Sequence, residues 1–358
     1  MPNLFDPIQI GDVSLANRIV MAPLTRSRSP GLVPGELVVE YYRQRATAGL
    51  IISEGTQVCA EGQGYIDTPG IHTPEQVAGW KRVTDAVHAA GGKIAAQLWH
   101  VGRISHTSFQ PEGRAPVSST ARQAAGQSFT KDGFVPNSAP HALRTDEIAG
   151  VVAQFAHAAR CAMEAGFDAV EVHGANGYLL DQFMRDSIND RSDEYGGSIA
   201  NRARFTVEVM TAVSQAIGSG RAGLRLSPVT PSNDAGPDSQ AQTLFNHVAE
   251  QLAPLKLAFL HVVEGQTGGA RDYAPFDYAA MRERFAGPWM VNNGYTREMA
   301  LQAVTERRAD LVAFGRPFIS NPDLVRRLRL NAELQTPDRA TMYGGGAQGY
   351  TDYPALGG

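Results

Sequence analysis

A histidine, an asparagine and a tyrosine crowd together in the stretch His173-Gly174-Ala175-Asn176-Gly177-Tyr178. An imidazole N–H and an amide N–H on one turn can converge on a single carbonyl or nitro oxygen and stabilise charge developing there. A phenol beside them is a source of protons. The same residues also fit a plainer reading, with Asn176-Gly177 as a turn and His173 as a satisfied core histidine. A metal ligand is a third reading of His173, but no His-x-His or His/Asp/Glu cluster completes a coordination sphere.

A second group of residues could hold an anion. Gly294 and Gly315 would let backbone N–H groups approach a phosphate closely, and the planar fork of Arg316 can grip two of its oxygens. Arg225 interrupts the apolar run Ala222-Gly223-Leu224-Arg225-Leu226, so its charge requires a carboxylate or an anionic ligand. Glycines that merely form turns, and arginines that merely pair with carboxylates, are the structural alternatives. Thr25 and Gln97 offer hydrogen bonds to a ring edge or, equally, to a loop carbonyl.

These side chains need a frame, and the chain supplies a repeating one. Short, β-branched apolar runs alternate with segments of helical periodicity. The predicted strands are 18–22, 50–54, 93–98, 169–172, 222–226, 258–262, 289–292 and 311–314. Predicted helices span 36–48, 74–90, 145–165, 199–217, 240–252, 296–307 and 321–330. Continuous hydrophobicity suits parallel strands buried on both faces. An open doubly wound sheet competes with a closed barrel, but Ala22-Pro23-Leu24-Thr25 follows the first strand in place of a glycine-rich fingerprint. The expected fold is therefore a single α/β domain over 1–358, a (β/α)8 TIM barrel.

A hairpin over 3–11 is expected to close the N-terminal end, and a long insertion after strand 3, residues 101–144, to lie over the mouth. In such a barrel the reactive groups collect at the C-terminal ends of the strands. Thr25, Gly55, Gln97, His100, His173, Asn176, Arg225, Asn293, Gly294, Gly315 and Arg316 all fall there. The loops after strands seven and eight are common phosphate sites, so the joint placement points to a phosphorylated cofactor or substrate.

Composition narrows the partners. A net charge of -4 provides no basic field for nucleic acid or anionic lipid, so the expected ligand is small. Two cysteines, Cys59 and Cys161, are too few for a disulfide framework or a four-cysteine iron–sulfur cluster. The N-terminus lacks a signal-peptide pattern and no stretch is apolar for long enough to span a bilayer, which makes the cytoplasm the expected compartment and excludes a membrane partner.

With those residues placed, the chain resembles the Old Yellow Enzyme family along nearly its whole length. The resemblance is carried by Asn17-Arg18 with Met21-Ala22-Pro23-Leu24-Thr25-Arg26, by Gln97-Leu98-Trp99-His100 with Gly102-Arg103, and by Glu194-Tyr195-Gly196-Gly197-Ser198. Phe314-Gly315-Arg316-Pro317-Phe318 and the terminal Gly349-Tyr350-Thr351-Asp352-Tyr353-Pro354 complete it. It implies a noncovalent FMN whose ring meets Pro23, Leu24, Thr25, Gly55 and Gln97, with Arg225 at the N1–O2 edge and the phosphate at Asn293, Gly294, Gly315 and Arg316.

It further implies that His173 and Asn176 bind the electron-withdrawing group of an electron-poor alkene, that Tyr178 protonates it, and that Tyr65, Trp99 and Tyr343 line the pocket. NADPH or NADH would be the reductant, and the protein a monomer or homodimer. Asn176 stands where some relatives have His. The small, polar 264–270 loop predicts an open mouth. A 2-hydroxy-acid oxidase on an FMN barrel would need a base where Tyr178 offers an acid, and a ligand-sensing flavoprotein would leave His173, Asn176 and Tyr178 without a purpose.

Overall fold

The computed structural model describes residues 1–357; Gly358, the last residue of the expected domain, lies outside the described residues. Eight parallel strands close into a barrel in chain order. They are β1 (Ile19–Met21), β2 (Leu50–Gln57), β3 (Ile94–Trp99), β4 (Ala169–Gly174), β5 (Ala222–Leu226), β6 (Phe259–Val263), β7 (Trp289–Asn292) and β8 (Leu311–Phe314). Closure is made by β8 against β1, with Ala313 opposite Val20.

The period of two along each strand decides which residues face inward. Val20, Leu50, Ala95, Ala169, Phe259, Met290 and Leu311 form an apolar plug. Their alternates, such as Ile51, Val170, Val172, Leu224 and Leu260, pack outward with the helices. Gly223 has no side chain for a steric reason: a Cβ there would meet the Phe259 ring at 2.4 Å. Further along, the inward parity places Gln97, Glu171, His173, Arg225, His261 and Asn292, all buried.

The helices are α1 (Glu36–Gln44), α2 (Pro74–Ala89), α3 (Thr145–Glu164), α4 (Leu179–Met184), α5 (Ile199–Ile217), α6 (Ala241–Leu252), α7 (Tyr278–Phe285), α8 (Arg297–Thr305), α9 (Arg316–Ser320) and α10 (Leu324–Leu330). Their starts are chemically marked. Thr73 and Gln76 form a reciprocal capping box with Pro74 at the first turn of α2, and Ser198 and Thr296 accept from backbone N–H groups at α5 and α8.

Several expectations shift. The hairpin spans Ile8–Ile10 and Val13–Leu15, not 3–11. Its turn is at Gly11, with φ +49°, where any Cβ would strike the Gly220 carbonyl. Ile10, Val13 and Leu15 do seal the N-terminal end against the plug. β2 runs on to Gln57 through a bulge between Ile52 and Gly55, and β4 extends through His173, so Gly55 and His173 belong to strands and not to the loops after them. The helix expected over 321–330 begins at Leu324 and is preceded by α9. α4 and α7 were not anticipated.

The 101–144 insertion is ordered. It holds a parallel pairing of Val117–Ser118 with His141–Ala142 and a hairpin, Gln127–Thr130 with Gly133–Pro136. Buried Gln182 of α4 ties it to the barrel. Its amide donates to the Val101 and Gly177 carbonyls and accepts from Ser118 Oγ, while its backbone carbonyl accepts from Ser119 Oγ.

Candidate active site

The turn after β4 is built by two left-handed residues, Asn176 (φ +59°) and Gly177 (φ +75°). A Cβ at Gly177 would lie 2.4 Å from the Ser232 carbonyl oxygen, so only glycine fits. Beneath the turn, Asp181 Oδ2 accepts from the Gly177 N–H at 2.9 Å and Oδ1 pairs with Arg185 Nε at 2.9 Å. Both side chains are wholly buried, and Arg185 donates onward to the Ser227 carbonyl.

His173 Nδ1 accepts from the Ala175 N–H at 3.2 Å, which places the ring proton on Nε2 in the neutral tautomer. Burial, reinforced by the neighbouring charges of Arg225 and His261, pushes His173 well below the ordinary histidine range. It is a neutral donor. Asn176 Oδ1 accepts from Thr267 Oγ at 2.7 Å, which leaves Nδ2 to donate elsewhere.

Tyr178 hydrogen-bonds Tyr65 across 3.0 Å between hydroxyl oxygens. Burial raises its phenol above the ordinary tyrosine value, so it carries its proton at neutral pH. The Trp99 indole stacks on Tyr65 at 5.4 Å between centroids and meets the Tyr178 ring edge-on at 5.0 Å. The His173 ring also lies nearly parallel to Trp99, at 6.4 Å between centroids, and meets Tyr178 at 5.0 Å. Tyr65, Trp99, His173 and Tyr178 thus form one aromatic wall. Gly55 makes room for it, because a Cβ there would lie 2.4 Å from the Trp99 ring.

Tyr343 is exposed and lies on a loop at the far end of the chain. Two buried arginines after β1 clasp its loop. Arg26 donates to the Met342 and Gly349 carbonyls, both at 2.8 Å. Arg28 donates to those of Thr341, Gly346 and Gln348 at 2.8, 3.1 and 3.2 Å. Tyr350 lies under both guanidinium groups, 5.0 and 4.5 Å from its ring centroid. Nothing local in the sequence announces this clasp.

The opposite side of the pocket is polar. Gln97 Nε2 donates to Glu171 Oε1 at 2.9 Å, and Arg225 Nη2 donates to Asn292 Oδ1 at 3.0 Å. Arg225 Nε is buried without a partner among the described residues, the mark of a site that expects an acceptor. Pro23, Leu24 and Thr25 lie partly buried directly beyond β1. Gly294 (φ +64°) and Gly315 border open space where added Cβ atoms would meet nothing closer than Leu24 at 3.5 Å. Arg316 is exposed at the start of α9.

These features fit FMN: an orphaned cationic donor for the pyrimidine edge and a glycine-lined cradle with an arginine for the phosphate. Asn293 differs from expectation in one respect, because its side chain is committed. At φ +108°, its amide donates to the Glu264 and Gln266 carbonyls and accepts from the Gly268 N–H. Only its backbone is free for a phosphate. His100 lies apart from the cluster and borders a separate cavity with Arg114, His141 and Arg144.

Thr267, Glu171 and His261 are contributors that sequence reasoning did not name. For Thr267, replacement by Val is expected to release the Asn176 amide and raise KM for an unsaturated ketone about fivefold, the cost of one hydrogen bond near 1 kcal/mol, with kcat nearly unchanged. Steady-state kinetics check this, and an unaltered KM would mean the amide is held by other groups.

An NADH:flavin oxidoreductase / NADH oxidase family model matches residues 3–335. The sequence is 47% identical to 12-oxophytodienoate reductase 7 of Oryza sativa subsp. japonica, covering 99% of this chain and 95% of that protein. It is 44% identical to 12-oxophytodienoate reductase 2 of Arabidopsis thaliana, covering 99% and 96%.

Among solved structures, morphinone reductase in complex with tetrahydroNAD superposes with a TM-score of 0.94 at 48% identity, covering 99% of this chain and 98% of that one. The old yellow enzyme homologue from Zymomonas mobilis gives 0.94 at 44%, covering 99% and 100%. The chain therefore belongs to the NADH:flavin oxidoreductase / NADH oxidase family, the Old Yellow Enzymes. In class it is an FMN-dependent NAD(P)H oxidoreductase of the ene-reductase type, and the oxidase and sensor readings give way to it.

Proposed function

We propose that the turn from His173 to Tyr178 is the catalytic element of this enzyme, acting on α,β-unsaturated carbonyl or nitro compounds. The observation that carries the reading is the pairing of a neutral imidazole, its Nε2–H unspent, with an amide whose oxygen Thr267 has already occupied. Both then face a ligand as donors. They hold the substrate's electron-withdrawing oxygen and stabilise the negative charge that gathers on it as the double bond is reduced. Tyr178 delivers its proton to the α-carbon.

Bound FMN would supply the redox chemistry that couples NAD(P)H to the alkene. Pro23, Leu24, Thr25, Gly55 and Gln97 would hold its ring, Arg225 would favour the charge of its reduced form, and Asn293, Gly294, Gly315 and Arg316 would hold its phosphate. Tyr65, Trp99 and Tyr343 confine the substrate to the ring face, so much of the rate enhancement is positional. The enzyme works in the cytoplasm on small electron-poor alkenes, as a monomer or homodimer. No helix among the described residues is long and apolar enough to cross a membrane.

The test is an anaerobic titration of the purified protein followed by its visible spectrum. A yellow protein that bleaches with NADPH and recovers with cyclohexenone demonstrates both half-reactions; failure to recover would sink the alkene reading. In the same assay Tyr178→Phe is expected to bleach normally and recover about 10²-fold more slowly, the contribution of a general acid. Recovery at the normal rate would remove Tyr178 from the mechanism.

A further inference from the structure

Five inward side chains sit on five consecutive strands, β3 to β7: Gln97, Glu171, Arg225, His261 and Asn292. The register aligns them, with Gln97 beside Glu171 and Arg225 beside His261. Glu171 is the hub. Its Oε1 accepts from Gln97 Nε2 at 2.9 Å and its Oε2 pairs with His261 Nδ1 at 2.6 Å. Neither Glu171 nor His261 touches solvent, and the chemistry above uses neither.

A carboxylate accepts only, so one that takes donors on both oxygens fixes the orientation of each donor. The Gln97 amide is thereby turned with Nε2 toward Glu171, leaving Oε1 and one N–H for a ligand. The Arg225 guanidinium holds its proton in any folded protein, and Glu171 is a buried counter-charge on the neighbouring strand, opposite Gly223 and so of the same inward parity two residues from Arg225. Buried charges left uncompensated are costly, which accounts for an acid in a fully buried strand.

We infer that Glu171, braced by His261, is a positioning residue for the flavin site: it sets the Gln97 amide and offsets the Arg225 charge, and so lowers the reduction potential of bound FMN. The inference rests on the placement of Gln97 and Arg225 at the flavin given above. An anion behind a cationic site weakens that site's preference for the more negative, reduced ring. Without it, Arg225 would make reduction by nicotinamide easier and transfer to the alkene harder.

The experiment is an anaerobic potentiometric titration of the FMN-loaded wild type, Glu171→Gln, Glu171→Asp and Arg225→Met. Glu171→Gln keeps the shape and removes the charge. It is expected to shift the oxidised–reduced equilibrium at least tenfold toward reduced flavin, about 30 mV for a two-electron couple. A holoenzyme shifted less than twofold would overturn the inference. Glu171→Asp keeps the charge but is too short to reach both partners. It is expected to leave the midpoint unchanged and weaken FMN binding about tenfold; unchanged binding counts against the positioning role, even if Glu171→Gln does not hold flavin. Arg225→Met separates the two readings. If it moves neither midpoint nor affinity, the placement of Arg225 has failed; if it moves them while Glu171→Gln does not, only the role of Glu171 has.

Discussion

Replacing His173 and Asn176 together with alanine is expected to lower kcat/KM for an α,β-unsaturated ketone about 10⁴-fold while FMN content stays near that of the wild type. Each donor aimed at a developing oxyanion is worth about 10²–10³ in rate, and the pair shares one oxygen, so the combined loss falls short of the simple product. Both side chains are already oriented in the structure. The Ala175 N–H occupies His173 Nδ1, and Thr267 occupies Asn176 Oδ1, so neither side chain has to choose a tautomer or an amide orientation during the reaction. Stopped-flow reoxidation of the pre-reduced enzyme is the measurement. A loss smaller than tenfold would show that other groups bind the substrate oxygen.

Asp181→Ala is expected to destabilise the protein by about 3–5 kcal/mol, because it leaves the Arg185 guanidinium buried and unpaired. It also releases the Gly177 N–H that Asp181 Oδ2 accepts. One substitution therefore removes a buried charge partner and the floor of the catalytic turn. Asp181→Asn retains an acceptor for Gly177 but not the charge, and is expected to lose less. Urea unfolding of the three proteins, with alkene reduction measured on the folded fraction, separates the effects. A cost below 1 kcal/mol for Asp181→Ala would mean that water reaches Arg185 and relieves it.

Most of the architecture could be read before the structure, for a physical reason. Parallel barrel strands are buried on both faces, so they stand out as apolar runs, and the residues just beyond them must line the mouth. That logic put the candidate set from Thr25 to Arg316 at the strand ends, although Gly55 and His173 lie within strands. It failed where the signal is two-dimensional. Glu171 and His261 lie within strands, and only the inward parity they share with Gln97 and Arg225 marks them. The alternation in Ala169-Val170-Glu171-Val172-His173 held that information.

The hairpin lies at Ile8–Ile10 and Val13–Leu15 and not over the expected 3–11, because strands so short give too little alternation to mark their bounds. α7 was missed because only Met281 and Phe285 of its eight residues are buried, too few to trace an apolar stripe. Thr267 acts on Asn176 from 91 positions away. No local pattern in the chain encodes such a contact.

The clasp on the Tyr343 loop sets an order of events during synthesis. Arg26 and Arg28 are translated some 313 to 323 positions before the carbonyls of Thr341, Met342 and Gly349 that satisfy them. At bacterial-to-eukaryotic elongation rates that interval is roughly fifteen to sixty seconds. Through all of it the two guanidinium groups have only water and transient neighbours as partners. The loop that carries Tyr343 can thus close onto Arg26 and Arg28 only after that whole interval, and until then the nascent chain carries an unfinished, positively charged seam.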